Sequence, residues 1–590
     1  MIEKNEVLLK SNNEWIHFAN PHRIISATSV RDVRNALQEI EQLVNSNNWH
    51  AAGFVSYEAA PAFDNALHVL STDDFPLLWF GLYSEPHAIK TSEVYLDALK
   101  MESLQKDFRS LDILNWQATV ERSSYNTAIE KVKDYIAQGK TYQVNYTMRL
   151  SSDFNIDEWS FFLNLVHTQN KYAAYVDTGR YVICSASPEL FFKLDGNRIF
   201  SHPMKGTVKR GRTTAEDAEQ AQWLHNSIKN RAENVMIVDM VRNDLGHIAE
   251  IGSVHVPELF KVEKYPTLFQ MTSLVQAKTI APLDEIFSAL FPCASITGAP
   301  KVSTMNIIAE LETTPRKIYT GSIGYISPNR KAQFNVAIRT ALIDREHKAA
   351  EYGVGGGIVW DSTSADEYNE ALLKARVLTE PSHEFSLIET LLWTPEDGYF
   401  LREKHIERMC DSAEYFGFSY SKEILENHLD NLAKGFNSAR RVRILLDRNG
   451  SLNVEDKPHQ ENKPNFTARL AKDSIDSNDI FLFHKTTCRE VYESARQAQP
   501  NYNDVLLYNE RGELTEFTIG NLVVELNSEF FTPPISCGLL SGTFRSHLIE
   551  TGQIKEHIIH KDELGKCSKI FLINSVREWV EVELKLIVAA

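Results

Sequence analysis

The stretch YVICSASPELFFKLDGNRIFSHPMKGT, residues 181–207, constrains this chain more than any other. Two runs rich in β-branched and aromatic residues flank Asp195 and Gly196, a dipeptide favoured in hairpin turns because both positions tolerate positive φ. The pairing has a chemical consequence. With Leu194 opposite Asn197, Glu189 falls opposite His202. With a longer loop that sets Leu194 opposite Ile199, Glu189 falls opposite Met204. In either register a carboxyl group and the amine of Lys205 lie near one end of the same hairpin.

Further along, QFNVAIRTALI alternates Phe334, Val336 and Ile338 with Asn335, Ala337 and Arg339. That is the pattern of a strand with one apolar face, and it turns Arg339 away from the apolar set. SADEYNEALLKARVL has helical spacing, with Glu367, Glu370 and Lys374 at three- and four-residue steps on one face. Glu367 there is either the capping-box partner of Ser364 or a carboxylate for a cation, and Glu370 is either a helical ion-pair partner of Lys374 or a second such carboxylate. The run GVGGG, residues 353–357, on its own reads as no more than a tight connection. Standing just before the acidic helix, it would also let backbone amides approach an anionic group without side-chain obstruction.

A chain of 590 residues exceeds what one hydrophobic core supports, so two or three domains are expected. Strand-like and helix-like stretches alternate without short repeats, a mixed αβ reading. The boundary falls in TEPSHEF, residues 379–385, where a charged helical pattern ends in Pro381 and the strand pattern SLIETLLW begins. This divides residues 1–380 from 381–590. A net charge of −17 argues against general nucleic-acid binding, and an anionic small substrate would need local cations. No run is apolar enough to span a membrane, and MIEKNEVLLKSNNEW lacks the profile of a secretory signal, so a cytoplasmic protein is expected. The six scattered cysteines show no CxxC spacing and read as reduced thiols.

Eight segments then point to a family: YQVNYT, SASPELF, HPMKGTVKRG, RAENVMIVDMVRNDLG, FPCASITGAPK, IYTGSIGYI, VAIRTALI and GVGGGIVWDSTSADEYNEALLKA. In this order they closely resemble the chorismate-utilising enzymes and, within them, aminodeoxychorismate synthase component I. The resemblance implies an N-terminal αβ sandwich that binds chorismate. In HPMKGT the family's aminodeoxychorismate synthases carry lysine where anthranilate synthases carry alanine, so Lys205 implies amination at C4. It further implies that the Lys205 amine attacks ring C2 while Glu189 protonates the departing C4 hydroxyl, after which ammonia adds at C4 and expels the lysine. Lys205 must be neutral to attack, which requires burial or neighbouring cations. By the same resemblance Glu233 and Glu370 hold Mg2+ with Glu367 nearby, Arg339 and Tyr319 hold the enolpyruvyl carboxylate, and Thr297, Gly355 and Gly356 line the substrate site. Two departures stand out. Met204 replaces the family's usual isoleucine, and the N-terminal region is shorter, retaining GFVSYEAAPAFD, residues 53–64, which leaves open whether the family's tryptophan-type ligand pocket survives.

Downstream, HIERMCDSAEYFGF, FHKTTCREVYESAR, GELTEFTIGNLVVE and CGLLSGTFRSHLIE resemble the fold-type IV pyridoxal-phosphate enzymes, which include 4-amino-4-deoxychorismate lyase. The resemblance implies a two-subdomain aminotransferase-like fold. It implies Lys485 as the Schiff-base lysine, Glu516 as the pyridinium partner, and Arg408 with the amides around Gly542 and Thr543 as the phosphate site. Lys485 follows a short apolar strand pattern, and Asn521 reads as a turn former. Fusion to a synthase that makes the lyase's substrate favours pyruvate elimination to p-aminobenzoate. The alternatives are a C-terminal aminotransferase or a non-catalytic assembly module. No glutaminase signature is apparent, so ammonia is expected from a separate glutamine amidotransferase subunit. Type IV relatives often pair, which makes a homodimer through the C-terminal domain an expectation.

Overall fold

The computed structural model describes residues 3–11, 14–72, 74–90, 94, 114–167, 171–378, 385–460 and 465–585. The expected boundary at residues 379–385 lies, apart from Phe385, outside them. The chain divides into two units, Met1–Lys209 with Ala221–Ser382, and Arg210–Gln220 with His383–Ala590. Among the described residues, no helix is long and apolar enough to cross a membrane.

Most strands of the first unit carry apolar residues on both faces, and this dictates layers. Two ten-stranded antiparallel sheets form. Their facing sides close over Val7, Leu9, Val176 and Ile183 from one sheet and Phe54, Trp79 and Ile323 from the other. Helices cover the outer sides. On one, Val33, Leu37, Ile40 and Val44 recur at helical spacing along Val30–Asn47, and Ile237, Val238 and Val241 do so along Ile228–Gly246. On the other, Ile129 and Val132 of Arg122–Ala137 pack with Ala371 and Ala375 of Ser364–Ala375. The expected αβ sandwich is present.

The second unit has two subdomains, as expected. A four-stranded antiparallel sheet carries the helices Arg402–Phe416 and Lys422–Ala433 on a core of Leu391, Ile406, Met409, Leu429 and Val442. An eight-stranded mixed sheet closes on itself, because Leu514–Phe517 pairs with both Asp504–Tyr508 and Gly520–Leu526.

Several local expectations change. QFNVAIRTALI is two strands, Lys331–Val336 in one large sheet and Thr340–Asp344 in the other. The chain crosses between sheets at residues 337–339, and Arg339 takes the left-handed conformation, φ 53°. Alternation misled here because Asn335 and Ala337 are buried alongside Phe334 and Val336. The glycines 353–357 belong to the long strand Ala349–Ile358 and are not a connection. The acidic helix is capped by Thr363, whose side chain accepts from Asp366 N, so Ser364 makes no capping box with Glu367. Before Lys485, Ile480–Leu482 is a short 3-10 helix where a strand was expected.

Candidate functional sites

Near its turn the hairpin adopts the second expected register, with Leu194 opposite Ile199 and Gly196 at φ 62°. A shift between Leu190 and Lys193 then brings Leu190 opposite His202, leaving Glu189 just beyond the ladder. A second irregularity, between Met204 and Thr207, brackets Lys205, and Gly206 takes φ 95°. Bulges re-aim side chains, and here two of them turn a carboxyl and an amine toward each other. Glu189 is 3% exposed. Burial pushes its carboxyl up to about 7, against the downward pull of the Ser295 hydroxyl, the Lys205 charge and the Met204 amide. Its Oε1 has no hydrogen-bond partner.

Burial is also the main influence on Lys205, lowering the amine from its ordinary value. The Lys374 charge acts the same way, while Glu189, Glu233 and Glu370 oppose it. Each partner's desolvation therefore favours its uncharged form, an acid beside a free amine. The backbone beneath is held by Asn234, whose Nδ2 donates to Lys205 O at 3.3 Å and whose Oδ1 accepts from Ser273 at 2.6 Å. The glycines make the space. A Cβ on Gly357 would sit 3.4 Å from Lys205 Nζ and 2.3 Å from Gln143 Nε2, and one on Gly356 would sit 3.1 Å from Glu367 Oε2.

Glu370 pairs with Lys374 at 2.9 Å, so the helical ion pair is real, and the Lys374 charge lowers the Glu370 carboxyl. Lys374 also donates to Gly355 O at 2.9 Å. Glu367 accepts from Ser362 at 2.6 Å, and burial, then the Glu370 charge, raises its carboxyl. Among the described residues, no three His, Cys, Asp or Glu side chains cluster closely enough to hold a metal by themselves. Mg2+ asks for less, taking one or two carboxylates and completing its shell with water and substrate. Two carboxylates that repel each other near an amine fit that chemistry.

Arg339 and Tyr319 converge on a third group that sequence reading missed, Tyr352, whose phenol feels both. Its hydroxyl is buried without a partner. Burial lowers the Arg339 guanidinium, and the groups that oppose this are the phenols of Tyr352 and Tyr265, with no carboxylate among the described residues taking part. A half-buried cation that no carboxylate among the described residues opposes suits an anionic ligand. Tyr319 fills the space left by Gly353, where a Cβ would lie 2.1 Å from its ring, with the Arg149 guanidinium 5.0 Å above the ring. Thr297 spends its hydroxyl proton on its own turn, toward Cys293 O or Ala294 O. Ser295, two residues earlier, reaches Glu189 instead. Spacing alone did not separate these two hydroxyls.

In the second unit, burial lowers the Lys485 amine to about 8, helped by the Arg408 charge and opposed by Glu389. Its carbonyl accepts from Ile388 N at 2.8 Å. Glu516 is buried and fully engaged. Oε1 accepts from Tyr492 at 2.8 Å and Leu540 N at 3.1 Å, and Oε2 accepts from Asn521 at 3.0 Å. Burial nonetheless raises this carboxyl to about 7. Asn521 is thus a positioning partner of Glu516. Arg408 forks onto Glu389 with two 2.8 Å bonds and donates to Ser541 O at 3.1 Å, beside Gly542, the N-cap of the helix Thr543–Glu550. A Cβ on Gly542 would lie 1.9 Å from Asn521 Oδ1, so only glycine fits there. Glu389 also meets His405 at 2.6 Å, and His405 meets Thr543 at 3.2 Å. Sequence reading assigned no role to Glu389 or His405, since each acts through a neighbour. An amine held partly neutral, a carboxyl fixed by three donors and a bare helix N-terminus fit the lysine, ring and phosphate needs of pyridoxal phosphate.

Residues 4–380 match the family described as chorismate binding enzyme, and residues 386–584 match amino-transferase class IV. The chain is 41% identical over 262 residues to aminodeoxychorismate synthase component 1 of Klebsiella aerogenes, covering 44% of this chain and 58% of that one. It is 35% identical over 355 residues to the protein of the same name from Bacillus subtilis, covering 55% and 75%. Anthranilate synthase component I from Streptococcus pneumoniae superposes with a TM-score of 0.52 at 26% identity, over 64% of this chain and 93% of that one.

Proposed function

Because this chain belongs to the chorismate binding enzyme family through residues 4–380, we propose that it aminates chorismate to 4-amino-4-deoxychorismate and then eliminates pyruvate to give p-aminobenzoate. Residues 1–380 would carry the first reaction and residues 381–590 the second. The observation that carries the reading is the buried Glu189, with one oxygen unpartnered, beside the half-buried Lys205. Hydroxide leaves poorly unless an acid protonates it, and a raised carboxyl is such an acid at neutral pH. The neutral Lys205 amine attacks C2 as the ring double bond shifts and the C4 hydroxyl departs as water with the Glu189 proton. Ammonia then bonds to C4, the bond to Lys205 breaks, and the Glu189 carboxylate is available for the proton that ammonia releases.

Arg339, with Tyr319 and Tyr352, would hold the enolpyruvyl carboxylate. Glu233 and Glu370, with Glu367 nearby, would hold Mg2+, which neutralises the ring carboxylate of the substrate. Ammonia would come from a separate glutamine amidotransferase subunit.

In the second reaction Lys485 would remove the C4 proton of aminodeoxychorismate, and its lowered basicity leaves part of the amine free to do so near neutral pH. Glu516 would hold a proton at the pyridine nitrogen, positioned by Tyr492 and Asn521. Amides at Gly542 and Thr543 would bind phosphate, with Arg408 beside them. Pyridoxal phosphate, when bound, supplies an electron sink for the carbanion. Loss of pyruvate leaves an aromatic ring. The purified chain given chorismate, Mg2+, ammonium and pyridoxal phosphate should release p-aminobenzoate and pyruvate. Accumulation of aminodeoxychorismate without either would remove the second reaction, and anthranilate as main product would overturn the first.

A further inference from the structure

The second unit contains a segment that its own family match does not, Arg210–Gln220. It is covalently continuous with the strand Met204–Lys209 that carries Lys205. The segment is closed on itself. Arg210 pairs with Asp217 at 2.5 Å, Gly211 N donates to Asp217 Oδ1 at 3.0 Å, and a Cβ on Gly211 would lie 2.3 Å from Asp217 N. From this closed turn it makes directed bonds to two elements of the second unit. On the helix Arg402–Phe416, Tyr415 donates its hydroxyl to Gly211 O at 2.6 Å, and its carbonyl accepts from Arg210 at 2.9 Å. Arg210 also lies 4.2 Å over the Tyr415 ring. Arg212 donates to Ser477 O at 3.3 Å and lies 4.9 Å over the Phe483 ring.

Thr214 adds a bond to Asp411 O at 3.4 Å, and one further bond is the informative one. His484 Nε2 meets Arg212 O at 3.1 Å, and its Nδ1 meets Ser412 Oγ at 3.0 Å. A carbonyl only accepts, so Nε2 carries the proton, Nδ1 accepts, and Ser412 donates. The imidazole is 4.3 Å from the Tyr415 ring, and burial pushes it down to about 4, so it is neutral at physiological pH. His484 immediately precedes Lys485. On its other side, Lys485 is held by the strand Leu387–Thr394 through Ile388 N, and Leu387 bridges Thr486. The peptide that bears the amine is therefore anchored from both flanks, one anchor being residues 210–212.

We propose that residues 210–217 form a positioning strap for Lys485, acting through His484. The proposal rests on the pyridoxal-phosphate reading of the second unit. Arg212 O orients the imidazole, Ser412 fixes its tautomer, and the two together keep the Lys485 amine in its enclosed position beside Arg408 and Glu516. A polypeptide starting after the linker would lack the strap altogether.

The test uses the full-length chain and three variants, His484→Leu, His484→Gln and Tyr415→Phe. In cofactor-free protein, brief acylation across pH with peptide mass spectrometry reads the titration of Lys485. His484→Leu should let the amine move toward its ordinary basicity, so that labelling at pH 7 falls about tenfold, the fall expected for a one-unit rise. After loading, its cofactor absorption should titrate at a different pH from wild type. His484→Gln keeps a donor for Arg212 O and an acceptor for Ser412, and should restore both readouts. Tyr415→Phe should lie between. Ammonium-dependent amination of chorismate should stay at the wild-type rate in all three. If wild-type Lys485 labels like free lysine and borohydride fixes no cofactor to it, the reading of the second unit falls and the strap with it. If wild type behaves as expected and His484→Leu matches it in both readouts, the strap alone is overturned.

Discussion

The two lysine sites solve opposite problems. Around Lys205 the decisive groups are left wanting partners: Glu189 Oε1 and the Tyr352 hydroxyl are buried without any, and the Arg339 guanidinium meets no carboxylate among the described residues. Around Lys485 the charged side chains are engaged with one another, with Glu516 receiving three donors and Arg408, Glu389, His405 and Thr543 forming one chain of bonds, while the helix N-terminus at Gly542 stays bare. Unsatisfied buried polar groups cost free energy, and a ligand that pairs with them recovers that cost. A finished cradle instead holds a group that brings its own chemistry. On the proposed reading the first site would supply both acid and nucleophile, whereas the second would supply a seat and a base.

Removing each lysine breaks this contrast most severely. Lys205→Ala should lower amination by about 10^3-fold or more while leaving elimination from supplied aminodeoxychorismate intact. Lys485→Ala should do the reverse, with aminodeoxychorismate accumulating in a chromatographic assay. Loss of both activities in either variant would show that the sites are not independent. Glu189→Gln should cost amination about 10^2–10^4-fold. It also tests the sign of the pH dependence. The acid form of Glu189 exists below its raised value of about 7, so wild-type amination should decline as pH rises through neutrality. The Lys205 amine moves the opposite way, becoming free as pH rises. A bell therefore results, and its limbs belong to the pair. Glu189→Gln should lose the alkaline limb.

Much of this was legible beforehand, for reasons that differ by residue. The hairpin around Asp195 was readable because turn chemistry is local. The placement of Glu189 against Lys205 depended on two register irregularities that no pattern announces. Arg339 was singled out by resemblance and mis-set by periodicity, since a chain crossing between two buried sheets keeps a strand's alternation through the crossing. The contacts of Tyr352, Ser295, Glu389, His405 and His484 were invisible for a common reason, even where the residue stands in a segment that carries the resemblance. Each acts through a contact distant in sequence, and an ordinary residue type gives no hint of it.

The glycines sharpen the comparison at smaller magnitude. Gly542 is forbidden a side chain by Asn521, so it serves a finished cradle. A side chain on Gly357 would require the Gln143 amide to move, and would come into contact with the Lys205 amine at 3.4 Å. Gly357→Ala should therefore displace Gln143 and restrict Lys205. The cost of forcing a methyl group into such a space is about 1–3 kcal/mol, or about tenfold or more in amination if it falls on the transition state. Elimination should not change. Met204→Ile should do least, because the swap conserves volume and the Met204 contribution to Glu189 is its backbone amide, which the substitution keeps. Its stability should stay within about 1.5 kcal/mol of wild type in a denaturant titration, with the pH of the Glu189 limb unmoved. A shifted limb would mean that the residue-204 side chain sets the local dielectric around the acid, and that the unfinished site is tuned by packing as closely as the finished one.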